Sequence, residues 1–389
     1  MHRLAPCLAP LLFVLLLAAA CASSAGAPEA PPPSATVAEA ATATIAAATP
    51  TQATASATPL PATPTPLVAS TRVPPPAGAS ITISAAGDIS LARQVAERME
   101  ANGGAYPFAL LAGLMTGDIG FANLEGALTD RGEPWPKGYN FRSPPRFAPW
   151  LFAAHFDVVT LANNHTLDYG QTGLLDTLAA LDEAGVRHIG AGADAAAAHA
   201  AVIAEAHGLR VAFLGYVATP DEGGGFSIRA WEAGASTPGV ALGSAEAIAT
   251  GVAAAKRIAD FVIVAVHAGD EYRTAPNATQ RALAEAALAA GADAYIGAHA
   301  HVVQPIEMRG SQLIAWGLGN FIFDLDEVDL ANIGVPRVSL ILKLTLTKGA
   351  GVTAWQAIPV TQDAAEDRPR PATADEAAAL RQIIGPDWP

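Results

Sequence analysis

The chain has 389 residues and a formal net charge of −14, the wrong sign for a nucleic-acid partner or for attraction to anionic lipid. It has two cysteines. Once Cys7 leaves with an export signal, Cys21 alone remains, which excludes disulfides and thiolate metal sites; any metal must be held by His, Asp, Glu and Asn.

Met1–Ala20 opens with His2 and Arg3, runs through apolar Leu11–Leu17 and ends in small residues before Cys21. That is the anatomy of a secretory signal, and the apolar run is too short to span a bilayer. Ala18-Ala19-Ala20-Cys21 resembles a lipoprotein cleavage box, with Ala18 where such boxes usually carry Leu; ordinary signal cleavage is the alternative. On the lipoprotein reading, residues 1–21 are the signal, Cys21 carries the lipid, and the exported protein faces the extracytoplasmic side of the membrane. Residues 22–80 are almost entirely Ala, Thr, Pro and Ser. They cannot bury enough apolar surface to offset ordering entropy, so a disordered, extended tether is expected.

The remainder is large enough for one substantial core, with residues 81–330 as the main body and 331–389 as strands and a helix completing it. Apolar, largely β-branched runs predict strands at Ile81–Ala86, Ile119–Ala122, Phe156–Leu161, Val211–Tyr216, Phe261–Val266, Ala294–Ile296 and Gln312–Trp316. Helical spacing predicts helices at Leu91–Ala101, Gly173–Ala184 (with Leu174, Leu175, Leu178 and Leu181 on one side), Ala245–Ile258 and Thr279–Ala290. Arg337–Thr347 and Gly351–Pro359 alternate around Lys348-Gly349-Ala350-Gly351 and read as a hairpin, with a final helix at Thr373–Ile384. Alternating strands and helices imply a layered α/β fold.

Six of the strand-like runs end in chemically capable residues: Gly87-Asp88, Asn123-Leu124-Glu125, Asn163-Asn164-His165, His267, Gly297-Ala298-His299-Ala300-His301, and Gly319-Asn320. In open α/β sheets, sites form outside the carboxyl ends of strands. Each piece has a structural alternative. Asp88 or Ser90 could cap the helix at Leu91. Asn163 and Asn164 could close a turn. His299 and His301 could be ordinary hydrogen-bonded histidines. Taken together, Asp88, Glu125, Asn164, His267, His299 and His301 offer three imidazoles and three oxygen donors. That mixture suits one or two divalent transition metals, Mn, Zn or Fe, better than Ca or Mg. His165 beside them can stay unligated and act as an acid.

These motifs, with Asp168-x-Gly170, His267-x-Gly269-x-Glu271-Tyr272, His301-Val302-Val303-Gln304 and Leu318-Gly319-Asn320-Phe321-Ile322-Phe323-Asp324, resemble the CapA family of capsule-synthesis proteins. That family is associated with poly-γ-glutamate and belongs to the calcineurin-like metallophosphatase superfamily. The resemblance implies a four-layer α/β/β/α sandwich with two central sheets. It implies a first metal on Asp88, Glu125 and His301, a second on Glu125, Asn164, His267 and His299, and His165 protonating a leaving group. Asn123, Arg142, Asp168, Glu271, Tyr272 and Asn320 are then expected to contact substrate or support the ligands. Ser90 departs from the pattern, because the superfamily carries His there.

The expected function is a metal-dependent hydrolase in making, releasing or anchoring an anionic envelope polymer. The alternatives are an extracytoplasmic phosphoesterase unrelated to capsule and a non-catalytic polymer binder. An acidic chain meeting an acidic polymer needs local basic groups. Arg93, Lys137, Arg142 and Arg273 are candidates, with Arg142 expected at the cleft.

Overall fold

The computed structural model describes residues 75–111, 113–222, 225–324, 337–363 and 366–385. The signal, Cys21 and nearly all of the tether lie outside the described residues.

Two sheets form the middle of the molecule. In the first, the parallel strands Ser80–Ile89, Ile119–Leu124, Val158–Thr160 and Arg187–Ile189 lie side by side. The hairpin Val338–Thr347 and Gly351–Asp363 extends this sheet antiparallel to Ser80–Ile89, and Arg368–Pro371 forms its edge. The second sheet has parallel strands Leu209–Ala218, Phe261–Ala268, Ala294–Ala298 and Gln312–Ala315, with antiparallel edges at Val202–Ala206 and Ile306–Arg309.

The alternation of side chains across each strand divides the apolar residues among three interfaces. Ile81, Ile83, Phe121, Phe213, Ile263 and Leu313 meet between the sheets, where the Phe121 and Phe213 rings stack at 5.6 Å. Helices Arg93–Asn102, Ala148–Ala153 and Gly170–Ala184 cover the outer face of the first sheet through Val95, Leu151 and Leu174. Helices Ala245–Ala255 and Ala278–Ala289 cover the second through Ile248 and Leu283. The fold is a four-layer α/β/β/α sandwich. The last helix, Ala374–Ile384, starts at a Thr373–Glu376 capping box and adds Leu380 and Ile384 to the inter-sheet core.

Two local expectations need correction. Neither Asp88 nor Ser90 caps the helix after the first strand. That helix begins at Arg93 without a side-chain cap from Ala92; its Gln94 N–H donates instead to Asp324 Oδ2 at 3.0 Å. Leu175 does not share the buried stripe of Leu174 and Leu181 and is 43% exposed, because one residue along a helix turns the side chain by about 100°.

Gly87 marks where the strand Ser80–Ile89 passes close to the chain before Asn320. A Cβ there would collide with the Gly319 carbonyl oxygen, whose residue accepts the Asp88 N–H at 3.0 Å. Gly87→Ala is therefore expected to lower stability by about 1–3 kcal/mol through overpacking, read as a lower midpoint in urea denaturation.

Candidate metal centre

The parallel strands of both sheets deliver their carboxyl ends to one place. Register sets Asp88 beside Asn123 and Asn320, while His267 lies beside Ala298, one residue before His299. Asp88, Glu125, Asn164, His267 and His299 are all buried there.

The Asn123 side chain ties the acidic half together. Its Nδ2 donates to Asp88 Oδ1 at 2.9 Å and Glu125 Oε2 at 3.0 Å, and lies 3.3 Å from His267 Nδ1. Asn123 Oδ1 accepts from Asn163 Nδ2 at 3.0 Å. Asn163 Oδ1 in turn accepts from the His165 N–H and the Thr166 hydroxyl. Asn163 thus fixes the turn that presents Asn164 and His165.

On the imidazole side, His267 Nε2 pairs with Asn164 Oδ1 at 2.9 Å, and the His267 and His299 rings are 4.8 Å apart. Asn164 Nδ2 donates to Glu222 at 2.7 Å. His301 Nδ1 donates to Asn320 Oδ1 at 2.8 Å, leaving Nε2 3.8 Å from Glu125 Oε1. His299 and His301 have φ of 88° and 56°, a left-handed conformation that costs non-glycine residues free energy and concentrates at functional sites.

His165 faces the same carboxylate, with Nε2 3.9 Å from Glu125 Oε1. Its Nδ1 donates to Asp168 Oδ2 at 2.8 Å, and Phe141 stacks on its ring at 4.1 Å. Beneath it lies Lys137, whose fully buried side chain pairs with Asp168 Oδ1 at 2.8 Å and donates to the Asn164 carbonyl. The Lys137 ammonium lies 4.9 Å from the Trp231 ring centroid and 5.0 Å from that of Phe226.

The electrostatics fit a cation. Burial raises the Asp88 and Glu125 carboxyls above the usual carboxylate range. Burial also drives His267 and His299 well below the usual imidazole range, and the neighbouring histidines add to the fall. For His301 burial works the other way from the outcome: Glu125, Asp88 and Glu271 outweigh it and raise the group. Among the described residues, Glu125 Oε1 and His299 Nδ1 are buried without a hydrogen-bond partner. Asp88, Glu125 and His301 can each bring one donor atom within 4.8 Å of the others, as can Glu271, His299 and His301. Donors sharing one ion at bond lengths of about 2.0–2.2 Å lie no more than about 4.4 Å apart, and the 3.8 Å between Glu125 and His301 meets that limit. These residues fit one or two divalent transition metals.

The structure also departs from expectation. Glu271, expected as a substrate or supporting group, falls among the donors beside His299 and His301. Ser90 is buried, its hydroxyl without a hydrogen-bond partner among the described residues, and it offers no imidazole to the first group. Arg142 is not at the cleft: it is exposed, with its guanidinium 4.4 Å from the Tyr169 ring centroid. Lys137 is not a surface polymer contact, because Asp168 and the aromatic cage bury it. The turn read at Asn163 is present, since its side chain accepts from the residues two and three positions along; sequence reasoning missed Glu222 behind Asn164 and the cage of Phe226 and Trp231. These arise from chain-distant contacts, and no local pattern announces them.

The family described as bacterial capsule synthesis protein PGA_cap matches residues 82–325. The chain belongs to this family. Within it, the match spans every residue of the metal centre. The PGA biosynthesis protein CapA of Bacillus subtilis is 38% identical over 171 residues, 44% of this chain and 43% of that protein. The capsule biosynthesis protein CapA of Bacillus anthracis is 32% identical over 257 residues, 63% of this chain and 60% of that protein. The chain thus spans about half the length of the curated relatives it matches. Among solved structures, the calcineurin-like phosphoesterase YfkN from Bacillus subtilis aligns with a TM-score of 0.44 at 16% identity, over 79% of this chain and 97% of that one.

Removing the buried ammonium leaves Asp168 uncompensated. Lys137→Met is expected to cost about 3–5 kcal/mol, whereas exposed Arg142→Ala stays within about 0.5 kcal/mol; urea denaturation of both variants compares them.

Proposed function

We propose that this protein is an exported, metal-dependent hydrolase of the cell envelope, tethered through lipid on Cys21 and working in capsule or poly-γ-glutamate synthesis, release or anchoring. Its partner is the anionic polymer or the machinery that makes it. The observation that carries the reading is Glu125 Oε1: fully buried, without a hydrogen-bond partner among the described residues, and within 4 Å of both His165 Nε2 and His301 Nε2. An acceptor so placed costs free energy unless a hydrogen-bond donor or a cation meets it.

The donor set of Asp88, Glu125, His301, Asn164, His267, His299 and Glu271 would hold the metal, Mn, Zn or Fe. A bound divalent transition metal supplies Lewis acidity toward a substrate oxygen. The remaining chemistry belongs to the chain's own residues. Asp168 holds the His165 ring with its Nδ1 proton engaged, so that Nε2 faces the centre and is placed to pass a proton to a leaving group. Lys137 fixes Asp168 and the Asn164 backbone together, which keeps acid and ligand in one register. The family's capsule association supports the pathway. No described helix is long and apolar enough to cross a membrane; on this reading attachment is through Cys21.

The test is metal analysis of purified protein with a screen of γ-glutamyl peptides and phosphoesters. At least one transition metal per chain is expected, lost in His299→Ala. Release of γ-glutamate oligomers, reduced at least about 100-fold in His165→Ala, supports the polymer hydrolase. Phosphoester turnover alone, abolished by the same substitution, would replace it with a phosphoesterase. Metal-free protein under non-chelating conditions would leave a polymer-binding protein without chemistry.

A further inference from the structure

Among the described residues, seven non-glycine positions have positive φ: Arg93, His155, His207, Tyr272, His299, His301 and Asp367. Three of them, Arg93 (53°), Tyr272 (57°) and His301 (56°), line a single cavity of about 50 Å3. Such conformations persist only where surrounding structure enforces them, and their clustering points to function. His301 belongs to the metal donors. Tyr272 follows the donor Glu271 and bonds to the chain between His299 and His301; Arg93 neither belongs to the donors nor follows one, so its strain has no account in the metal centre.

The cavity opens beside His165 and His301. Its floor is aromatic: Phe141 packs on His165, Phe323 meets Phe141 edge-on at 5.5 Å, and His301 lies 5.1 Å from Phe323. Its rim carries Arg93 and Tyr272. Arg93 Nε is 3.1 Å from the buried Asp324 carboxylate, and its guanidinium carbon is 5.9 Å from the Phe141 ring centroid. Asp324 also accepts the Gln94 N–H and side-chain amide, so the helix start that carries Arg93 is tied to the same carboxylate. Tyr272 donates its N–H to the Ala300 carbonyl between the two histidines, and its ring lies 5.8 Å from that of His301. The loop carrying Tyr272 is thereby locked to the loop carrying the ligands.

From this geometry we infer that Arg93 and Tyr272 form a clamp for one anionic group of the substrate, a carboxylate or a phosphate. A guanidinium reads such a planar or tetrahedral oxyanion with a fork of donors, and aromatic backing keeps the fork oriented. Among the described residues, Arg93 is the only Lys or Arg lining the cavity. The other rim charge, Glu271, also belongs to the donor group with His299 and His301, so its carboxylate is assigned to the cation. The volume admits a single small charged group rather than a length of polymer, so the rest of the substrate lies outside, past exposed Tyr139. The clamp rests on the hydrolase reading above and specifies its substrate as anionic next to the reacting centre.

The test is calorimetric titration of the full, manganese-loaded chain with inorganic phosphate and, separately, with tri-γ-glutamate, alongside metal content and thermal midpoint. Arg93→Gln is expected to weaken binding of at least one probe by about tenfold or more at unchanged metal content. Tyr272→Phe is expected to weaken it less. Loss confined to phosphate identifies a phosphate-bearing substrate; loss confined to the oligomer identifies a carboxylate. If Arg93→Gln fails to fold, Arg93→Lys replaces it: it keeps the charge and lacks the fork, so weaker binding at wild-type midpoint supports the clamp. Wild-type affinity in the variant that folds, or no binding of either probe by the wild type, overturns the clamp. Because metal content is read separately, a protein that loads manganese yet fails these titrations loses the clamp and keeps the hydrolase reading, whereas one that loads no metal loses the latter.

Discussion

Two carboxylates buried against one another, Asp88 and Glu125, are the constraint on which the rest of this site depends. Both approach the side-chain amide of Asn123, which can donate to them but brings no charge. Like charges confined in a poorly solvated space cannot both ionise without a counter-charge. The sheet architecture makes the conflict unavoidable, because parallel strands bring their carboxyl ends to the same edge. The surrounding groups answer to it. His301 is drawn toward its charged form by the acids, while His267 and His299 remain neutral donors. A cation between them would relieve both tendencies at once, leaving carboxylates ionised and imidazoles neutral, the states in which each coordinates.

The second layer of organisation holds His165 apart from the donors while keeping it aimed at them. Asp168 fixes one ring nitrogen, Phe141 packs the ring face, and Lys137 joins Asp168 to the backbone of Asn164. A buried ammonium is tolerated there because a carboxylate and two aromatic faces replace its water. Asn164 and His165 are therefore tied together through Lys137 and Asp168, the kind of fixed geometry that the proposed hydrolysis requires.

Much of the fold was legible because its signals are local. Runs such as Phe261–Val266 are continuously apolar and β-branched and became strands buried on both faces. The chemically capable residues were legible because they follow those runs without interruption, as His267 follows Val266. What stayed hidden depends on contacts across the chain. The helix after the first strand takes its cap from Asp324, 230 residues beyond Gln94; sequence proximity pointed to Asp88 and Ser90. Lys137 looked like a solvated charge because nothing near it in sequence shows that Phe226 and Trp231 enclose it. Arg142 follows Phe141, which reaches His165, and alternation along an extended segment sends the arginine the other way, onto Tyr169.

On the proposed function, an acidic protein that meets an acidic polymer must localise positive charge where the two meet, and a metal held by the buried donors, with Arg93 beside it, would supply that charge. The most direct measurement of this account is anomalous diffraction from a crystal of the protein, recorded at the absorption edges of manganese, iron and zinc. The account predicts a peak within coordination distance of Glu125 Oε1 and a donor nitrogen of His301. A fully occupied, well-ordered cluster of Asp88, Glu125, His299 and His301 with no anomalous peak, grown without chelator, would contradict it.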